Sequence, residues 1–268
     1  MNKILVATDY SPAAQNAVKY AANLALQQNA ALELLHAYII PFAYTDSPVP
    51  LLNIDEIQQI AEDSMKTALS QVRNAFPQLT VSSRILPGDL IDCLSEITES
   101  DPPGLIILGK SGSGNSNFFW GSMAVSALRH LKTPVLAVPA HSEWKAVKKI
   151  AFAADYHQFN EQTPTVEILK WTRELQASLE VLHVDKSGTE TQIPELLKQK
   201  LSEADPVYHS ILSDNLEDII SGFVTENHVD WLVVIPKKYG FFENIFHKSR
   251  TKGLTQASNV PVLALHQE

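Results

Sequence analysis

The octapeptide KILVATDY, Lys3 to Tyr10, returns 146 residues later as KIAFAADY, Lys149 to Tyr156. The recurrence continues along the chain. LELLHAY (Leu32 to Tyr38) is answered by LEVLHVD (Leu179 to Asp185), LIILG (Leu105 to Gly109) by LVVIP (Leu232 to Pro236), and TPVLAV (Thr133 to Val138) by VPVLAL (Val260 to Leu265). A repeat on this scale limits the fold to two copies of one unit, and 268 residues divide into two domains of ordinary size. The offset falls from 147 to 127 between the second and third apolar runs, so the second copy is shorter there. The first copy carries at that point a loop around Pro41 to Pro50 and a helical stretch from about Ile54 to Ala75. The polar segment HSEWKAV, His141 to Val147, reads as the linker, giving domains 1–142 and 147–268.

Within each copy, short β-branched runs alternate with helical periodicity, the pattern of βαβ units around a parallel sheet buried on both faces. Five strands per half are expected, and the fold class is α/β with two tandem doubly wound, Rossmann-like domains. Ser11 followed by Pro12 marks a helix start, serine as cap and proline at the first helical position. Ala14, Val18, Ala21, Ala22 and Ala25 then give that helix a face of small residues suited to close packing on the first two strands.

Apolar residues at 45% and charged residues at 19% suit a folded globular chain and exclude collagen, coiled coil and disorder. The single cysteine, Cys93, fits a reducing cytoplasm. The opening MNKILVATDYS has too few apolar residues before Asp9 for a signal-peptide core, and no run reaches the ~18 residues of a membrane span. A net charge of −9 argues against nucleic acid and anionic lipid as partners.

Four of the ten glycines, Gly109, Gly112, Gly114 and Gly121, fall in one segment, GKSGSGNSNFFWGS, between an apolar strand and a helical stretch. Glycines let a backbone approach a ligand and expose successive N–H groups, and Gly121-Ser122 would add a helix amino terminus; together these suit phosphate, although a plain surface loop has the same composition. Gly104 to Ser111 also satisfies the P-loop formula, but its four variable residues, LIIL, are themselves the strand, so the match is false. The fragment Gly112-Ser113-Gly114 begins a dinucleotide fingerprint that Asn117 breaks.

These features together resemble the universal stress protein family in its tandem form: an opening strand ending in Asp9, a second strand ending in His36, a glycine loop, and a closing T-P-V-L-x-V strand. The resemblance covers nearly the whole chain and implies a sheet order of 3-2-1-4-5 in each domain. ATP-binding members carry G-x-x-G, nine residues, then G-[ST]; here Gly109-x-x-Gly112 is followed by eight residues before Gly121-Ser122. By resemblance Asp9 contacts the adenosine, Ala37 offers backbone contacts to the base, and Gly109, Gly112, Gly121, Ser122 and Met123 form the phosphate loop, with ATP, as its Mg2+ complex, the implied ligand. Asp9 has a second reading as a cap of the helix at Ser11. Lys110 could reach a phosphate or stay solvated.

At offset 127 Gly109, Gly112 and Gly121 become Pro236, Tyr239 and Lys248, so the second half is expected to have lost the nucleotide site, while Asp155 keeps the place of Asp9. In place of the loop stands KKYGFFENIFHKSRTK, Lys237 to Lys252, with five basic residues against Glu243. Its aromatics, and Phe118 to Trp120 in the first half, either pack between the halves or anchor a regulatory partner. Nine histidines show no metal-ligand spacing; His36 and His183 recur at equivalent strand ends as structural residues, and no metal site is expected. No catalytic residue is assigned, since nothing supplies a base to activate water. The expected function is a cytoplasmic stress-response regulator binding an adenine nucleotide in its first domain. A nucleotide-independent scaffold and a slow ATPase are the alternatives. The last strands of the two sheets should pair into an intramolecular pseudo-dimer, with homodimerisation left open.

Overall fold

The computed structural model describes residues 1–40, 53–110, 122–185, 191–236 and 260–267. Lys3–Ala7 form the first strand, β1, and Ile4 to Ala7 are all buried, as a strand covered on both faces requires. Helix α1, Pro12–Gln27, follows almost at once. Its cap is Ser11, whose Oγ accepts the Ala14 N–H at 3.2 Å, and Pro12 takes the first helical position. The expected stripe of Ala14, Val18, Ala21, Ala22 and Ala25 is buried throughout. It packs against β1, against β2 (Ala31–Tyr38) and also against β4 (Leu105–Lys110), a broader footing than the first two strands alone.

Helix α2, Ile54–Ala75, opens with a capping box: Asn53 accepts from the helix start while its own N–H donates to Glu56 Oε2 at 3.2 Å. Strand β3 (Val81–Pro87), helix α3 (Leu90–Ser100), helix α4 (Ser122–His130) and strand β5 (Val135–Pro139) complete the first half. The second half repeats the plan with β6 (Lys149–Ala153), α5 (Thr165–Leu175), β7 (Ser178–Asp185), α6 (Glu195–Leu201), β8 (Val207–Leu212), α7 (Leu216–Glu226), β9 (Trp231–Val234) and β10 (Val262–Ala264). The short α6 stands where α2 stands in the first half, which accounts for the lost residues.

The ten strands form one sheet, ordered β3-β2-β1-β4-β5-β10-β9-β6-β7-β8. Each half therefore has the 3-2-1-4-5 order, parallel throughout, and the halves join at one antiparallel seam in which Leu263 faces Leu136. That is the pairing of last strands expected from the sequence. Helices α1, α2, α5 and α6 cover one face; α3, α4 and α7 cover the other. The halves are also tied above the sheet, where the buried Trp231 Nε1 donates to Tyr20 Oη at 2.7 Å.

Charge follows the repeat as well. Glu33 on β2, nearly buried, is held by Arg84 at 2.9 Å and Lys3 at 3.5 Å; its counterpart Glu180 on β7 is held by His209 at 2.6 Å and Lys149 at 3.3 Å. A carboxylate inside a sheet must be paired, and both copies solve this with the lysine that opens the first strand.

Candidate functional site

In a doubly wound sheet the strand order reverses between the first and fourth strands, and the connections leaving their carboxyl ends part to open a crevice. In the first half this crevice is a cavity of about 200 Å3 lined by Thr8, Asp9 and Ser11 after β1, Ala14 of α1, Ala37 of β2, Gly109 of β4, Leu90 of α3 and Ala124 of α4. Three of the residues singled out from the sequence, Asp9, Ala37 and Gly109, thus share one wall although they are 28 to 100 positions apart. Ser122 and Met123 are the first two residues of α4 and directly precede Ala124. Gly112, Gly114 and Gly121, with Phe118 to Trp120, lie outside the described residues, as does the basic segment from Lys237 to Lys252.

Gly109 is a glycine for a reason visible in the packing. A Cβ placed there would sit 2.6 Å from the Ala13 carbonyl oxygen, 2.8 Å from the Ala13 carbonyl carbon and 3.0 Å from Ala14 N. The end of β4 therefore lies directly against the backbone of the first turn of α1. In the second half the connection after β6 runs from Ala154 to Pro164 before α5 begins, so no helical first turn follows the strand immediately, and Pro236 takes the equivalent place.

The turn after β1 is held from within. Asp9 is exposed and its Oδ1 accepts the Ser11 N–H at 3.0 Å, so the carboxylate shapes the turn while Ser11 itself caps the helix. Asp155 does the same in the second half, accepting the His157 N–H at 3.1 Å. The cap reading of Asp9 is thus corrected to a turn that presents the cap. Tyr10 has a φ of 62°, an unusual conformation for a large side chain, and its N–H donates to Thr8 Oγ1 at 3.0 Å. The Tyr10 ring lies against His36, whose Nδ1 contacts the Thr8 carbonyl at 2.8 Å. An N–H at Nδ1 must donate to that carbonyl, which fixes the tautomer and makes His36 a brace between β1 and β2. Burial pushes the Tyr10 phenol up to about 12, so it stays a neutral hydroxyl.

A larger groove, about 380 Å3, runs between α1 and α2 and shares Thr8 with the crevice. Its walls are residues of the two helices together with Thr8, Tyr10 and Phe76, and it contains neither the glycine nor the strand-end carboxylate. The crevice is the better candidate because it alone combines a close-approach backbone position with a carboxylate at the switch point. The sequence did not single out Leu90 and Ala124 as lining residues. Pro87-Gly88-Asp89 was the available signal for Leu90, since Gly88, at φ 132°, turns the chain from β3 into α3 beside the crevice and Asp89 caps that helix.

Comparison with known proteins agrees with this architecture. The chain is 32% identical over 142 residues to Universal stress protein Rv2623 of Mycobacterium tuberculosis, a match covering 50% of this chain and 46% of the relative, so it spans about half the length of that protein. It is 28% identical over 136 residues to Universal stress protein A homolog 1 of Coxiella burnetii, covering 50% of this chain and 94% of the relative. Among solved structures, a universal stress protein from Archaeoglobus fulgidus aligns over 99% of this chain and 96% of its own with a TM-score of 0.68 at 17% identity, a likeness of fold. The description "Universal stress protein family" belongs to the family model that matches residues 1–139, and the chain is a member of that family.

Proposed function

We propose that this chain is a regulatory protein that binds ATP or a related adenine nucleotide in the crevice of its first half, and that residues 1–142 and 147–268 are tandem units of which the second has lost that role. One observation carries this: Asp9, Ala37 and Gly109 line a single cavity at the switch point, with Gly109 admitting the backbone of α1 where any side chain would block it. The walls fit a nucleotide. They are mostly small, and they include Ala124 in the first turn of the helix that begins at Ser122, the end of a helix that favours an anion. The cavity is smaller than the ~300–1,000 Å3 usual for small-molecule sites, which leaves it the size of one part of such a ligand.

The activity proposed is binding rather than hydrolysis. Asp9 is the only ionisable residue among the described lining residues, and one of its oxygens is already engaged by the Ser11 N–H. Calorimetry of the nucleotide-stripped chain with Mg-ATP should give about one site per chain. Ala37→Phe, which puts a ring into the cavity, and Gly121→Lys, which installs the residue found at the equivalent place in the second half, should each abolish the heat. Two sites per chain would overturn the asymmetry, and no binding by the wild type would favour the nucleotide-independent scaffold.

A further inference from the structure

The second half is not an emptied copy of the first. At the carboxyl ends of its first two strands three potential ligands converge: His157 from the turn after β6, and His183 and Asp185 from the end of β7, with one donor atom of each within 4.8 Å of the others. In the repeat these are the places of Ser11, His36 and Tyr38, so two substitutions, serine to histidine and tyrosine to aspartate, have turned a turn and a strand end into a donor set. We propose that this cluster binds a divalent first-row transition metal of the zinc class. The site is independent of the nucleotide reading of the first half.

His183 is prepared as a ligand by its surroundings. Its side chain is 2% exposed, and its Nε2 is buried with no hydrogen-bond partner among the described residues. On the other side of the ring, Nδ1 lies 3.0 Å from the Ala154 carbonyl, repeating the contact of His36 with Thr8. The Ala154 carbonyl can only accept and the Tyr156 N–H, 3.3 Å from the same nitrogen, can only donate; assigning the hydrogen bond to the shorter contact puts the proton on Nδ1 and leaves Nε2 of the neutral ring as the lone pair. Metal-bound histidines are oriented in this way by a carbonyl or carboxylate on the second nitrogen. The Tyr156 ring, stacked on the imidazole at 4.1 Å and 12°, fixes its plane. A buried imidazole nitrogen with no partner costs free energy unless something occupies it, and the Asp185 carboxylate, itself fully buried, stands 3.9 Å away.

The spacing suits an ion. Around zinc, with bonds of about 2.0–2.2 Å, ligand atoms lie roughly 3–3.5 Å apart. From the 4.8 Å limit the set must close by about 1.3–1.8 Å to reach that separation, and His157 is exposed on a turn and can supply the movement. Thr191 marks the same spot: its hydroxyl donates to Asp185 Oδ2 and lies 3.4 Å from His157 Nε2, so one hydroxyl bridges two of the three donors. Two imidazoles and one carboxylate are borderline ligands suited to zinc, iron, cobalt or nickel rather than to calcium or magnesium, and leave coordination positions for water or an exogenous group. Among the described residues, no other group of three such side chains converges.

The test uses the full chain, stripped with chelator and dialysed against Zn2+, with bound metal measured by elemental analysis and Co2+ as a visible-spectrum probe. Wild type should retain about one ion per chain and show cobalt ligand-field bands. Asp185→Asn and His157→Ala should each weaken Zn2+ at least about 10-fold, whereas His141→Ala, an exposed histidine elsewhere, should change nothing. His157 is on the surface, so that variant should keep the wild-type far-ultraviolet circular dichroism and separate metal loss from misfolding. Absence of stoichiometric Zn2+, or retention unaltered by both variants, would overturn the assignment.

Discussion

Replacing Gly109 by alanine tests the packing that shapes the crevice. Ordinary van der Waals contact for a Cβ begins at 3.4 Å, and the new methyl would fall short of that by 0.8 Å from the Ala13 oxygen, 0.6 Å from the Ala13 carbon and 0.4 Å from Ala14 N. None of these is the tip of a flexible side chain. They belong to the first turn of α1, which is fixed by the Ser11 cap and Pro12, so either the helix start or the end of β4 must move. Overpacking of this kind costs about 1–3 kcal/mol. The backbone at Gly109 is not in the left-handed region, so alanine recovers roughly 0.4–1 kcal/mol by restricting the unfolded chain. The net expectation is a destabilisation of about 0.5–2.5 kcal/mol, read as a lower urea midpoint at unchanged slope. Gly104→Ala is the control, because its Cβ would also meet an atom at 2.6 Å, but that atom is Cγ of the Met1 side chain, which can swing aside. Equal losses in the two variants, or a Gly109→Ala protein as stable as wild type, would refute the claim that the α1 backbone dictates glycine at this position.

Two further outcomes are expected. Tyr20→Phe leaves the Trp231 N–H buried without its acceptor and should cost about 1–3 kcal/mol in the same assay, while a value near zero would mean that the 2.7 Å contact between the halves adds nothing. His266 is held below its ordinary value of 6.5 chiefly by burial. The unfolded chain therefore takes up the proton first, so stability should fall as pH drops below about 6.5, and His266→Gln should flatten that part of a thermal-melt pH profile; an identical profile in the variant would assign the acid sensitivity elsewhere.

Much of the fold was legible because the repeat lies in its strands. Lys3 to Tyr10 and Lys149 to Tyr156 announced the two opening strands, Ser11-Pro12 the start of α1, and the change of offset the replacement of α2 by the shorter α6. The position of α1 over β4 was not legible, since the contact of Gly109 with Ala13 joins residues 96 apart through backbone atoms that carry no sequence signature. Leu90 and Ala124 were missed because the crossing of strands, not their own chemistry, brings them to the crevice. The His157, His183 and Asp185 cluster escaped a search for ligand spacing for the same reason: 26 residues separate the first two, and only the pairing of β6 with β7 closes the gap. Comparing the halves position by position held the clue, in the exchange of Ser11 for His157 and of Tyr38 for Asp185.

The antiparallel seam between β5 and β10 turns the second half head to tail with the first. Strands are parallel within each half but opposed across the seam, so the carboxyl ends of β1 and β4 point one way along the sheet and those of β6 and β9 the other. The crevice of the first half and the donor set at the ends of β6 and β7 consequently belong to strand ends that face opposite ways along the sheet. Between β1 and β6 lie five strand steps in the order β1-β4-β5-β10-β9-β6, about 24 Å at ~4.8 Å each. That span exceeds the ~8 Å Debye length at physiological salt, so charge gathered at one position is screened from the other. One continuous hydrogen-bonded sheet joins the two positions.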